Sequence, residues 1–115
     1  MSDLIKEQTV AYLNKYAAKD LAAMEAMFAD DIVLRDWKIL VHGKQLALAE
    51  TKKNFESADS IEIDILEMHQ DGSTVAAELK ITVDQIEELF VVDVITFNSN
   101  SQISSIRAYL GRGGE

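Results

Sequence analysis

From residue 60 to residue 111 the chain is a succession of strand signals. "SIEIDILEMH", "TVAAELKITV", "ELFVVDVITFN" and "ISSIRAYLG" are rich in β-branched and aromatic residues and hold no proline. In the first of them Ile61, Ile63 and Ile65 alternate onto one face. The polar stretches "QDGS", "DQIEE" and "NSNSQ" separate the four runs. Strands joined by connections this short pair antiparallel.

Upstream the apolar period changes from two to near four. Residues 3–18, "DLIKEQTVAYLNKYAA", read as a helix capped by Ser2 or Asp3, with Ile5, Thr9, Tyr12 and Tyr16 on one stripe. "KDLAAMEAMFADD" reads as a second, short helix capped by Asp20, with Leu21, Met24 and Phe28 sharing a face. Residues 31–41, "DIVLRDWKILV", alternate as a strand that Gly43 ends, and residues 44–57 form a third helix with Leu48, Lys52 and Phe55 on one side. "RGGE" reads as a frayed tail. Helices segregated from a run of strands define an α+β fold. The expected architecture is a cone-shaped α+β barrel, with three N-terminal helices packed on a curved, mostly antiparallel sheet. A chain of 115 residues makes this a single domain, residues 1–115. A curved sheet with helices across its mouth encloses a pocket.

Composition removes several classes of function. The net charge of −9 disfavours nucleic acid and anionic membrane as partners, because both require a basic footprint. No run of apolar residues is long enough to span a bilayer, and the N-terminus lacks the basic and apolar regions of a secretory signal. Cysteine is absent, which excludes disulfides and thiolate metal sites and suits a cytoplasmic location. His42 and His69 have no second ligand at a metal-site spacing, and both read as exposed strand-end or turn residues. No metal or cofactor is expected. Chemistry in this chain has to rest on carboxylates, a tyrosine, or shape.

One carboxylate stands out. Asp93 sits in the middle of "ELFVVDVITFN", between Leu89, Val91, Ile95 and Phe97 on its own face. Burying even a neutral polar group without a partner costs about 2–7 kcal/mol. Asp36 likewise continues the face of Ile32 and Leu34 rather than that of Val33, Arg35 and Trp37. In the last strand Ile106, Ala108 and Leu110 share a face opposite Ser105, Arg107 and Tyr109. Strand parity therefore turns both acids inward, provided no bulge intervenes.

The segment "YLNKYAAKDLAAMEAMFADDIVLRD" resembles the opening of the ketosteroid isomerases, within the nuclear transport factor 2-like (SnoaL-like) superfamily. "VVDVITFNSNSQISSIRAYLG" resembles the closing segment of the same enzymes. Three positions carry the resemblance furthest. Tyr12, eight residues before Asp20, matches the family's oxyanion-binding tyrosine. Asp36, five residues after Asp31, matches its general base. Asp93 matches the second oxyanion donor, an aspartic acid kept protonated by its apolar site. The chain departs from the pattern in placing Trp37 where the family has proline, in a shorter loop up to Gly43, and in having only four phenylalanines.

The resemblance implies an enzyme that moves a double bond by proton transfer in a small apolar carbonyl compound. Asp36 would take the proton, and Tyr12 and a neutral Asp93 would meet the developing negative oxygen, with the Tyr12 hydroxyl and the Asp93 carboxyl in hydrogen-bond contact. Leu34, Phe28, Ile95, Phe97, Ile106, Ala108 and Leu110 are the residues expected to line the pocket. Each of the trio also has a plainer reading when taken alone. Tyr12 fits a core stripe, Asp36 could pair with Lys38 or Arg35, and Asp93 could be satisfied by Tyr12 and nothing more. Two other functions fit the same fold: a non-catalytic binding or association module, and a cyclase or hydrolase. The outward sheet face, with Val92, Val94, Thr96, Tyr109 and Trp37, is apolar, and the family's habit implies a homodimer through it.

Overall fold

The computed structural model describes residues 2–112. Residues 113–115 of the expected tail and the side chains of the expected caps Ser2 and Asp3 lie outside the described residues. The elements run α1 (Ser2–Ala17), α2 (Leu21–Met27), β1 (Phe28–Arg35), β2 (Leu40–His42), α3 (Lys44–Ser57), β3 (Ile61–Asp71), β4 (Thr74–Val83), β5 (Glu87–Phe97) and β6 (Ile103–Leu110). Six strands form one sheet in the order β2-β1-β6-β5-β4-β3. Only β1 and β6 pair parallel; every other neighbouring pair is antiparallel. The sheet is mixed and open, with β2 and β3 as its edges, rather than a closed barrel. No helix among the described residues is long and apolar enough to cross a membrane.

Two element boundaries differ from the sequence reading. The second helix ends at Met27, and Phe28 already has extended backbone (φ −78°, ψ 134°) and starts β1. Asp20 caps α2 as expected, its carboxylate accepting from Ala23 N at 3.0 Å. The strand read over residues 31–41 is two strands, β1 and β2, paired through Arg35 and Leu40. The break between them is an Asx turn. One oxygen of Asp36 accepts from Lys38 N at 2.7 Å and Ile39 N at 2.9 Å, and Asp36 N donates to Ile39 O at 3.0 Å.

The last four strands form a meander whose tight turns need special backbone. Gly72, at φ +59°, turns β3 into β4. Between β4 and β5 the left-handed positions fall on Asp84 and Gln85. There the Asp84 carboxylate accepts from Asp59 N at 2.7 Å and Ser60 N at 3.1 Å, which ties the turn to the end of α3. In β3 the pairing shifts between Ile65 and Glu67, so Leu66 bulges and is half exposed, and Met68 takes over the inward face.

The helices cover one face of the sheet. α1 packs on β3 and β4, α3 on β1 and β2, and α2 braces both helices. Leu13, Met24, Phe28, Ile32, Leu79, Ile95 and Ile103 are the largest buried apolar residues of the resulting core. Phe28 is completely buried, and its ring packs 6.5 Å from that of Tyr12. Phe28→Ala is expected to cost about 3–5 kcal/mol. A chain of this size should then melt lower by roughly 10 °C or more. A thermal melt with an unchanged midpoint would remove Phe28 from the core described here.

Candidate active site

Between α1, α3 and the middle of the sheet the core opens into a cavity of about 330 Å³. In the register of the sheet Asp93 is flanked by Ala77 on β4 and Ala108 on β6. Ala108 lines the cavity beside Asp93, and Ala77 is closed into the core. Tyr12, Asp36 and Asp93 all line this cavity.

The inward face of β5 divides into two halves. Leu89, Val91 and Asp93 face the cavity, whereas Ile95 and Phe97 are closed into the core. Of the residues expected to line the pocket, Leu34, Ile106 and Ala108 do so. Phe28, Ile95 and Phe97 do not; they are closed into the core with Met24 and Ile103. Leu110 closes β6 and is 44% exposed, beyond the cavity wall.

Trp37 is also placed differently from its strand parity. It belongs to the Asx turn rather than to the outward sheet face and stands at the cavity wall beside Asp36, 42% exposed. His42 and His69 are exposed, and His69 lies 3.6 Å from Glu67. Among the described residues no group of three or more His, Cys, Asp or Glu is arranged to hold a metal.

The trio occupies contrasting environments. Asp93 is 8% exposed, and burial first, then the nearby Asp36 charge, pushes its carboxyl from 3.8 up to about 7. Tyr12 is buried deep in the helix stripe, and burial, then the charge of Asp93, then Tyr16, raise its hydroxyl well above its ordinary value. It remains a donor throughout the physiological range. Asp36 sits in the turn with one oxygen fixed by the two amides, which leaves its other oxygen for the cavity. Tyr12 feels the Asp93 charge, but no hydrogen bond joins them among the described residues, contrary to the direct contact expected from sequence. The Tyr12 ring is held instead against Tyr16 at 6.0 Å and Phe28.

Tyr16 and Asn54 are among the polar side chains at the cavity that the sequence reading did not single out as site residues. Tyr16, one turn beyond Tyr12, accepts a hydrogen bond from Asn54 Nδ2 of α3 at 3.2 Å. Burial raises its hydroxyl too, the Asn54 bond opposes that rise, and the charges of Asp93 and Asp36 add to it. The Tyr12–Tyr16 stripe was visible as a pair at helical spacing; its contact with Asn54, thirty-eight residues away, was not.

The chain belongs to the SnoaL-like domain family, which matches residues 9–106. It is 29% identical to a steroid Δ-isomerase of Nocardioides simplex, over 98% of this chain and 94% of that protein. Solved structures share the fold at lower identity. An NTF2-like protein of unknown function from Cytophaga hutchinsonii superposes with a TM-score of 0.78 at 9% identity, covering 93% of this chain and 89% of the other. A Mycobacterium tuberculosis LEH-like epoxide hydrolase superposes with a TM-score of 0.82 at 18% identity, covering 96% and 84%.

Proposed function

We propose that this protein is a ketosteroid isomerase-like enzyme that moves a double bond into conjugation in a small apolar carbonyl compound. The observation that supports it most is the placing of two carboxyl groups in one cavity under unequal burial, with the buried Asp93 raised to about 7. In this reading Asp36 removes the proton α to the carbonyl of a β,γ-unsaturated ketone. The C–H electrons pass into a dienolate whose oxygen takes the negative charge. Tyr12 O–H and the protonated Asp93 donate to that oxygen. Asp36 then returns the proton to the γ carbon, which leaves the conjugated ketone and a regenerated carboxylate. That Tyr12 and Asp93 line one cavity supports reading both as donors to the same ligand oxygen. The relative that carries the name steroid Δ-isomerase favours the same chemistry.

The test is conversion of a simple β,γ-unsaturated ketone, followed by the absorbance of the conjugated product. Catalysed conversion by the native chain is the expected result. Binding of the ketone without conversion would replace the isomerase by a binding module of the same fold. We place the reaction in the cytoplasm. We also propose that two copies of the chain pair through the outward sheet face, where Val92, Val94 and Thr96 are only partly covered and Tyr109 is 46% exposed. Sedimentation should give twice the mass of one chain; a monomer at micromolar concentration would contradict the pairing.

A further inference from the structure

The ring of Tyr16 is fixed on two sides. Phe55 meets it edge-on at 4.9 Å, and Tyr12 lies tilted beside it at 6.0 Å. Its hydroxyl accepts from Asn54 Nδ2, and both residues line the cavity. A phenol has one hydrogen to give, and an amide has a carbonyl oxygen besides its NH₂ group. The bonded pair therefore still displays one donor and one acceptor side by side, whichever way the amide is turned.

The other polar side chains that α3 contributes to the cavity already have partners. Thr51 Oγ1 donates to Ala47 O at 2.8 Å, Ser57 Oγ donates to Asn54 O at 3.0 Å, and Glu50 takes Lys53 at 3.1 Å. Tyr16 and Asn54 are the pair with spare capacity in both senses. A donor next to an acceptor is the complement of an alcohol, which gives one hydrogen and accepts one.

We propose that Tyr16 and Asn54 form a second polar subsite, which binds a hydroxyl group of the ligand while Tyr12 and Asp93 hold its carbonyl oxygen. The proposal rests on the reading of Tyr12 and Asp93 as the carbonyl end. It narrows the ligand class to hydroxyketones with a flat apolar body. Tyr12 and Tyr16 stand about one helical turn apart, about 5.4 Å of rise, with their ring centroids 6.0 Å apart. A cavity of about 330 Å³ admits a body of two fused rings. Asn54 is exposed at the mouth, so water competes for this pair and the gain from the second hydroxyl is about tenfold in affinity rather than a thousandfold.

Calorimetric titration with three probes tests this without any turnover. 2-Naphthol presents one oxygen on a flat conjugated body, as a dienolate does. Naphthalene-2,6-diol and naphthalene-2,7-diol add a second hydroxyl at the far edge. At least one diol should bind the native chain about tenfold tighter than 2-naphthol. Tyr16→Phe and Asn54→Leu should each bring that ratio to about one, whereas Tyr12→Phe should weaken all three probes together. Melting curves verify that each variant is folded, and the exposed Asn54 position carries the test should Tyr16→Phe fail to fold. Equal binding of the diols and 2-naphthol, or a gain that survives Tyr16→Phe and Asn54→Leu, overturns the subsite and leaves the carbonyl end standing. Failure of all three probes to bind overturns both.

Discussion

Asp36→Asn lowers the rate of ketone isomerisation by about 10²–10⁴-fold, the range over which a positioned general base accelerates proton transfer. The substitution is informative because it isolates chemistry from structure. The amide oxygen of asparagine can still accept from Lys38 N and Ile39 N, so the Asx turn between β1 and β2 survives. What is lost is a group able to hold the proton between its removal at one carbon and its return at another. The melting temperature should stay within a degree or two of the native value, and the absorbance assay should fall to a small residue of its rate. Undiminished turnover in a folded Asp36→Asn variant would remove Asp36 as the base.

The second large effect concerns Asp93 and pH. Its carboxyl titrates at about 7 in the folded chain, against 3.8 in the ordinary case. The folded state therefore holds a proton that the unfolded state gives up across that window. Stability from this group is fully present below pH 3.8 and declines as pH rises through about 7, where the loss levels off. Its full size is on the order of 4 kcal/mol. Asp93→Asn cannot ionise. Compared with the native chain it should gain in melting temperature progressively between those limits, by roughly 10 °C at the alkaline end. Activity should follow the same proton. The native rate falls above pH 7 as Asp93 ionises and ceases to donate. Asp93→Asn keeps an N–H donor and loses that alkaline fall, whereas Asp93→Ala loses the donor, for about a 10²–10³-fold drop at every pH. A native chain whose melting temperature does not decline from pH 4 to 7 relative to Asp93→Asn would mean that Asp93 is not the buried neutral acid.

Much of this site could be read from strand parity. Alternation from Ile32 points Asp36 inward, but Asp36 reaches the cavity from the Asx turn beyond the end of β1; alternation from Val91 places Asp93 in the same cavity. Parity is robust there because no bulge intervenes between Val91 and Asp93 in the pairing of β5 with either neighbour. In β3 it is not: the bulge at Leu66 shifts the inward phase, and nothing in "DILEMH" signals it. The Asx turn at Asp36 was hidden for a similar reason. It contains no glycine or proline, and Trp37 and Ile39 continue an apolar alternation although they serve the cavity wall rather than a strand. The second helix was read too long because Phe28 and Ala29 fit a helix face and a strand equally well; the parallel pairing of Phe28 with Ile103 decides for the strand.

Parity also could not separate cavity from core. Leu89, Val91, Ile95 and Phe97 present one apolar inward face around Asp93, and nothing in their order shows that the cavity takes the first two and the core the last two. Ile95 and Phe97 were expected at the pocket on that account and lie in the packed end instead. Tyr16 is legible in the sequence as part of a helix stripe, but its contacts with Asn54 and Phe55 of α3, thirty-eight and thirty-nine residues away, are not.

The proposed chemistry needs a protonated Asp93 in the cavity it shares with Asp36. Carbon-13 titration of the aspartate carboxyls, with Asp93 assigned through Asp93→Asn, reads that proton. A midpoint for Asp93 near 7 that moves down when Asp36→Asn removes the neighbouring charge is the expected result. A midpoint near 4, unmoved by that substitution, would remove the neutral donor from the site.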